Sequence, residues 1–204
     1  MSAPSSTVAS SKWPCSSDRK DPSNCPVYLV DPLRDASRLA QFHTSVGELL
    51  DLPIERLREV VPGVSGWSAL EQLFHVLLAN ELALRNVRLL IGGDSAWIQP
   101  QAAPSFLGHL ILCWDYMPRG VGQSPRTVRP PAKPDLTIVR DTLSLGISTL
   151  TDLSGRLPGL ARVPGGIPHH ELGPLSAAQW LRFARLHGLH HLALAREVLA
   201  AGAA

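Results

Sequence analysis

The chain has 204 residues, 45% of them hydrophobic, and a formal net charge of +2. That length suits one ordinary domain with a tail. Scattered Lys and Arg without a basic block give no electrostatic reason to expect nucleic acid, and no apolar run reaches the ~18 residues that mark a membrane span. Three cysteines, with no CxxC pair and no secretory signal, argue against a disulfide scaffold and a cysteine-based zinc site.

Residues 1–29 are rich in Ser and Pro and lack the apolar core of a signal peptide, so they are expected to form a disordered leader. An organelle transit peptide fits less well, arginine being nearly absent there. Residues 30–204 are expected to form one helical domain, in a cytoplasmic protein with no membrane partner. The first helical pattern runs from about Pro32 to Glu59, with Leu33, Leu39, Phe42, Val46, Leu49 and Leu50 at helical spacing and Pro53 as a break or kink. After the turn VPGVSG, Ser68 and Glu71 form a capping box. It opens a long apolar helix to about Ile91, stopped by Gly92-Gly93-Asp94.

The third segment, about Pro104 to Met117 (FLGHLILCWDYM), is short and apolar, and its length favours helix over strand. The following PRGVGQSPRTVRPPAKPD holds too much proline for a regular element, and a loop this long in a compact domain is often functional. A fourth helix is predicted over about Leu136 to Leu157, with Ile138, Leu143, Leu145, Ile147, Leu150 and Leu153 as its core residues. A second loop, PGLARVPGGIPHHELGP, leads to the last helix, which opens on the capping box Ser176/Gln179. No segment reads as a strand. Four long helices with irregular Pro/Gly-rich connections make an all-α chain, a four-helix bundle.

Eight histidines occur, and two of them are placed by spacing alone. His187 and His191 lie four apart on the last helix, one turn above the other on one face. If the second helix packs against the last, His75 supplies a third imidazole. Three neutral imidazoles with an open coordination position make a divalent-metal site able to activate water or a thiol. The same i,i+4 pair also occurs in helices that bind nothing. His190, about 100° from His191 around the helix, is expected behind the ligands or in solvent. His43 and His109 read as core or surface residues. His169-His170 could line a pocket mouth.

Acid/base candidates are sparse. Glu71 lies one turn before His75, where its ordinary role is the helix cap and its alternative roles are metal ligand or base. Asp115 and Tyr116, beside the proline-rich loop, are candidates for acid/base work or substrate contact. Arg119 and Arg126 suit either an anionic substrate or solvent. Trp67 and Trp180 read as core anchors. No GxSxG, GxxxxGK[ST] or HExxH motif is present, and no GxGxxG follows a strand.

The stretch GWSALEQLFHVLLANE resembles the second-helix signature of the DinB-like superfamily, a Trp-Ser start followed by a helical His, and LHGLHHLALA resembles its late H-x-x-H-H segment. The segment ending CWDYMPRGVGQSP, the phrase HHELGPLSAAQWLRFARLHGLHH and the short helix before GWS are closer to a branch of that superfamily known only as a domain of unknown function. The resemblance covers roughly residues 30–200. It implies an up-down four-helix bundle in which His75, His187 and His191 bind a divalent metal, often zinc or nickel. Relatives include glutathione- or bacillithiol-type S-transferases and mycothiol-dependent maleylpyruvate isomerases, so a low-molecular-weight thiol is an implied second cofactor. The superfamily name does not imply DNA binding. The chain departs from the pattern in lacking the Gln that often follows the last histidines; Ala193-Leu194-Ala195 stands there.

The expected function is a metal-dependent enzyme acting on a small electrophilic molecule, as a thiol-dependent transferase or a hydrolase. The alternative is a non-catalytic metal- or ligand-binding bundle, dimeric through an apolar helix face. A purely structural bundle without metal is the third reading.

Overall fold

A computed structural model describes residues 30–203 except Val121 and Gln123, so the expected leader over 1–29 lies outside the described residues. Helix α1 (Pro32–Leu50) starts where the Asp31 carboxylate accepts from the N–H groups of Leu33 and Arg34, at 3.1 Å each. Pro32 at its first position costs no hydrogen bond. The helix stops well short of Glu59. Pro53 can neither donate to a continuing helix nor fit its preceding turn, so the chain breaks at Asp51-Leu52 and restarts as the short α2 (Ile54–Arg58).

Helix α3 (Ala69–Gly92) opens on the predicted capping box: Ser68 Oγ accepts from the Glu71 N–H at 3.3 Å, and Glu71 Oε2 accepts from the Ser68 N–H at 2.8 Å. It ends at Gly93, whose φ of 76° is the left-handed conformation that glycine adopts without a steric penalty. Helix α4 (Phe106–Trp114) is shorter than its apolar run at both ends. Helix α5 (Leu136–Asp152) ends before Leu157, and a 3-10 segment over Ser154–Arg162, with Pro158 inside it, takes over. Helix α6 (Ala177–Ala201) starts on the second predicted capping box, Ser176 with Gln179.

One element contradicts the sequence reading. Ile167–His169 (β1) and Gly173–Leu175 (β2) pair antiparallel, with Pro168 opposite Pro174. Three-residue strands carrying proline on both sides show no alternation and low strand propensity, so nothing in the sequence marks them. The described residues otherwise form a predominantly helical, all-α arrangement.

Helix α3 packs against α6 and α5, and α1 packs against the same two helices. Leu39, Phe42 and Val46 of α1 meet Leu73, Val76, Leu77 and Leu84 of α3 and Leu181, Ala184 and Val198 of α6 in one continuous core. The α5 core prediction is half right. Leu143, Leu150 and the following Leu153 are buried, whereas Ile138, Leu145 and Ile147 are 54%, 51% and 45% exposed. The inward stripe is Val139, Leu143, Gly146 and Leu150, a 4-3-4 spacing that leaves the other apolar residues on the far face. Leu33, placed in the α1 apolar set, is also exposed.

Cys113 in α4 is disulfide-bonded. With three cysteines in the chain, at most one bridge closes within it, too few for a disulfide scaffold. Among the described residues, no helix is long and apolar enough to cross a membrane.

Candidate metal centre

The most extensive helix–helix contact, α3 with α6, brings the three predicted histidines together. The ring centroids of His75 and His187 lie 5.1 Å apart, those of His75 and His191 4.5 Å, and those of His187 and His191 4.6 Å. One ligand atom from each residue falls within 4.8 Å of the other two. Ligand bonds of ~2.0–2.1 Å ask for donors about 3–4 Å apart, somewhat closer than this bound.

Two of the rings are held from behind. His75 Nδ1–H donates to the Val128 carbonyl at 2.9 Å, and His191 Nδ1–H donates to Gln72 Oε1 at 2.6 Å. A carbonyl oxygen only accepts, so both Nδ1 atoms carry the proton and both Nε2 lone pairs are free. Gln72 is itself fixed, because its amide donates to Ser65 Oγ at 2.8 Å. His187 is oriented by stacking on Phe183, with centroids 5.2 Å apart and planes at 16°, while Trp67 lies 5.1 Å from His75. His187 Nδ1 is buried and has no hydrogen-bond partner in the described structure.

Burial pushes the His75 pKa below its ordinary value, partly offset by the bond to Val128. His187 and His191 are driven well below theirs, first by burial and then by the other histidines of the cluster. At neutral pH all three rings are uncharged, the form that binds a metal ion.

The cluster faces a cavity of about 1150 Å³. Both loops that drew attention in the sequence line it: the segment after α4, through Met117, Arg119, Arg126 and Val128, and the β1–β2 hairpin, through Ile167, His169 and Glu171. Leu107, Ile111, Leu172 and Leu194 supply apolar wall, and Arg85 and Asn86 of α3 supply polar wall. His190 also reaches the cavity, its ring 5.0 Å from that of His191, beside the three converging rings and not among them.

The other sequence candidates lie elsewhere. Glu71 Oε2 accepts from both the Ser68 N–H and the Ser68 hydroxyl, the latter at 2.7 Å, and the residue does not line the cavity. Asp115 caps α4 in a left-handed conformation, φ 55°. Its carboxylate is held by Arg185 and faced by Arg34 and Arg38 at 3.8 Å, away from the cavity. Tyr116 is exposed and outside the lining. Arg119 pairs with Glu197 at the cavity rim, and Arg126 lines the wall.

Sequence reasoning missed Gln72, Ser65 and the Val128 carbonyl. Gln72 was within reach: it precedes His75 by three residues, the i,i+3 spacing of a shared helix face. No backbone carbonyl of a proline-rich loop announces itself in sequence. No protein-family model, curated protein or solved structure matches the chain.

Proposed function

We propose that His75, His187 and His191 hold a divalent metal ion, zinc or nickel, at the cavity wall, and that the chain is a metal-dependent enzyme of the DinB-like type acting on a small electrophilic molecule. The observation that carries this reading is the convergence of three neutral imidazoles beside a cavity, with no fourth protein ligand in the set among the described residues. The donor set fits a borderline-soft divalent ion. The orphaned His187 Nδ1 fits as well, since a buried ring nitrogen without a partner is costly unless a ligand or water completes it. The packing of α1, α3, α5 and α6, each long helix against two others, suits an up-down four-helix bundle.

Such an ion, when bound, lowers the pKa of water or a thiol at its open position towards neutrality. The chain's own residues do the rest. Val128 and Gln72 fix two ring orientations and tautomers, apolar walls limit water, and Arg85 and Arg126 favour a substrate carrying negative charge. A thiol co-substrate has room in a cavity of this size.

One observation favours the non-catalytic metal- or ligand-binding alternative: the carboxylates of Glu71 and Asp115 are both committed to structural partners. Elemental analysis of the purified protein is expected to find about one zinc or nickel per chain. His187→Ala is expected to lower affinity for added metal by at least ~100-fold, more than loss of an outer-shell partner would. Absence of stoichiometric metal together with an unchanged affinity in the variant would overturn the metal reading. Metal retention without turnover of a panel of electrophiles, with or without added thiol, would select the binding-protein alternative.

A further inference from the structure

His169 ends β1 and lines the cavity near the candidate metal centre. Its Nδ1 accepts from two backbone N–H groups, those of Glu171 and Leu172, at 3.2 Å each. A ring nitrogen that accepts carries no proton, so the proton of the neutral imidazole sits on Nε2. Nε2 has no partner among the described residues and, unlike both nitrogens of His43, is not sealed from the cavity. Burial, reinforced by the charge of His170, pushes the His169 pKa down to about 4, so the ring stays neutral through the physiological range.

The ring is also immobilised. It meets Phe183 edge-on at 4.7 Å and stacks on His170 at 4.6 Å and 25°. The turn that supplies its two donors is tied to α4: Ser105 N–H donates to the Leu172 carbonyl at 2.7 Å, and Ser105 Oγ–H to the Glu171 carbonyl at 2.8 Å. A side chain at Gly108 would overlap the Leu172 carbonyl, so the hairpin lies directly on the helix. Gly173, at φ 76°, closes the turn. Phe183 stacks in turn on His187, which couples the position of the His169 ring to that of the candidate ligands.

We propose that His169 is a preoriented hydrogen-bond donor, through Nε2–H, to a carbonyl or carboxylate oxygen of the small molecule that occupies the cavity. The inference rests on the reading of the cavity as a substrate site but not on the metal. A neutral donor whose proton is fixed by two backbone groups needs no reorganisation to meet an oxygen that gains negative charge. The walls are largely apolar, with Arg85, Arg119 and Arg126 set against one carboxylate, Glu171, and suit a ligand with an apolar body and an acidic or carbonyl oxygen.

The test uses the full chain, with zinc and after chelation, and benzoate as the probe. Long-range proton–nitrogen correlation spectra are expected to show His169 as the Nε2–H tautomer from about pH 5.5 to 8, and benzoate is expected to shift its Nε2 resonance. His169→Phe keeps ring packing and removes the donor; it is expected to bind benzoate about 3–10-fold more weakly, as for one lost hydrogen bond, with zinc affinity unchanged. An Nδ1–H tautomer, an unmoved Nε2 resonance, no benzoate binding, or equal affinity in the variant would each overturn the proposal. If the variant does not fold, the spectra of the unmodified chain decide alone. Failure to bind zinc would sink the metal reading and leave the chelated-protein result for His169 intact.

Discussion

Helix α6 carries two polar clusters that are completed in opposite ways. Near its N-terminal half, Asp35 of α1 accepts from Arg185 Nε at 2.6 Å and from Arg182 Nε at 3.2 Å, Arg182 Nη1 donates to the Leu112 carbonyl at 3.1 Å, and Arg185 also holds Asp115. Asp35 and Arg185 are each 1% exposed, and their charges close on one another. Half a turn beyond Arg185, His187 begins a cluster of uncharged rings that line a cavity, with the Nδ1 atoms of His75 and His191 anchored and that of His187 buried without a partner among the described residues. Buried polar groups that satisfy each other fix the helices in register. Buried polar groups held in place yet left with free lone pairs beside a cavity are open to something that is not part of the chain.

The largest effect that separates the two clusters is expected from Arg185→Met. The substitution leaves Asp35 buried with Arg182 as its remaining partner, and breaking a buried pair from one side costs about 3–5 kcal/mol. Chemical denaturation measures the loss. Metal affinity of the folded fraction is expected to be unchanged, because neither Arg185 nor Asp35 lines the cavity. A stability loss below about 1 kcal/mol, the range of an exposed pair, would mean that the first cluster does not hold the helices together. A parallel loss of metal affinity would mean that the two are not separate.

His43 sharpens the same contrast from a third position. It is 2% exposed in α1, both its nitrogens are buried without partners, and it does not line the cavity. An unfinished polar group thus marks a site only where several converge beside a space. Burial pushes its pKa to about 4 from an ordinary 6.5. The unfolded chain takes up a proton as pH falls below 6.5 and the folded one does not until about 4, so stability falls across that window and levels below it. The loss contributed by His43 is up to about 3 kcal/mol. The depressed pKa values of His75, His187 and His191 act with the same sign in metal-free protein. Denaturation of chelated protein at pH 7 and pH 4.5 is expected to show this loss, and His43→Leu to remove only the share that His43 contributes. Equal pH dependence in the two proteins would contradict the burial of an unpaired His43.

Helix starts were the most legible feature, because a capping box is a local device: Ser68 with Glu71 and Ser176 with Gln179 needed only each other. Those starts set the registers of α3 and α6, and so the histidine positions. Which face of α5 turns inward was not legible, since Ile138, Leu145 and Ile147 are as apolar as the residues that are buried. Nor was the β1–β2 hairpin, whose prolines and three-residue strands carry no periodic signal. At the site, the three converging histidines followed from spacing and resemblance. Their supports did not, because Val128 contributes only a carbonyl and Gln72 acts across to another helix. The partner of Asp115 was not legible for a related reason: the residue lies beside a loop, and Arg185 reaches its carboxylate from 70 residues away in sequence.

The smallest of the three effects that separate the clusters is the most specific to the candidate centre. Gln72→Leu removes the acceptor of His191 Nδ1–H with little change of volume, so the ring loses its anchor and its fixed tautomer while the core keeps its packing. Zinc affinity, measured by competition with a chelator, is expected to fall about 10–100-fold, the usual consequence of losing an outer-shell partner. Gln72→Glu, which keeps an acceptor oxygen at the same reach, is expected to retain it. The paired variants separate orientation from packing, because a residue needed only to fill space would tolerate Leu at least as well as Glu. Were Gln72→Leu to bind zinc as tightly as the unmodified chain, the bond to His191 would be packing alone, and the histidines would belong with Asp35 and Arg185 among the groups that hold α6 in place.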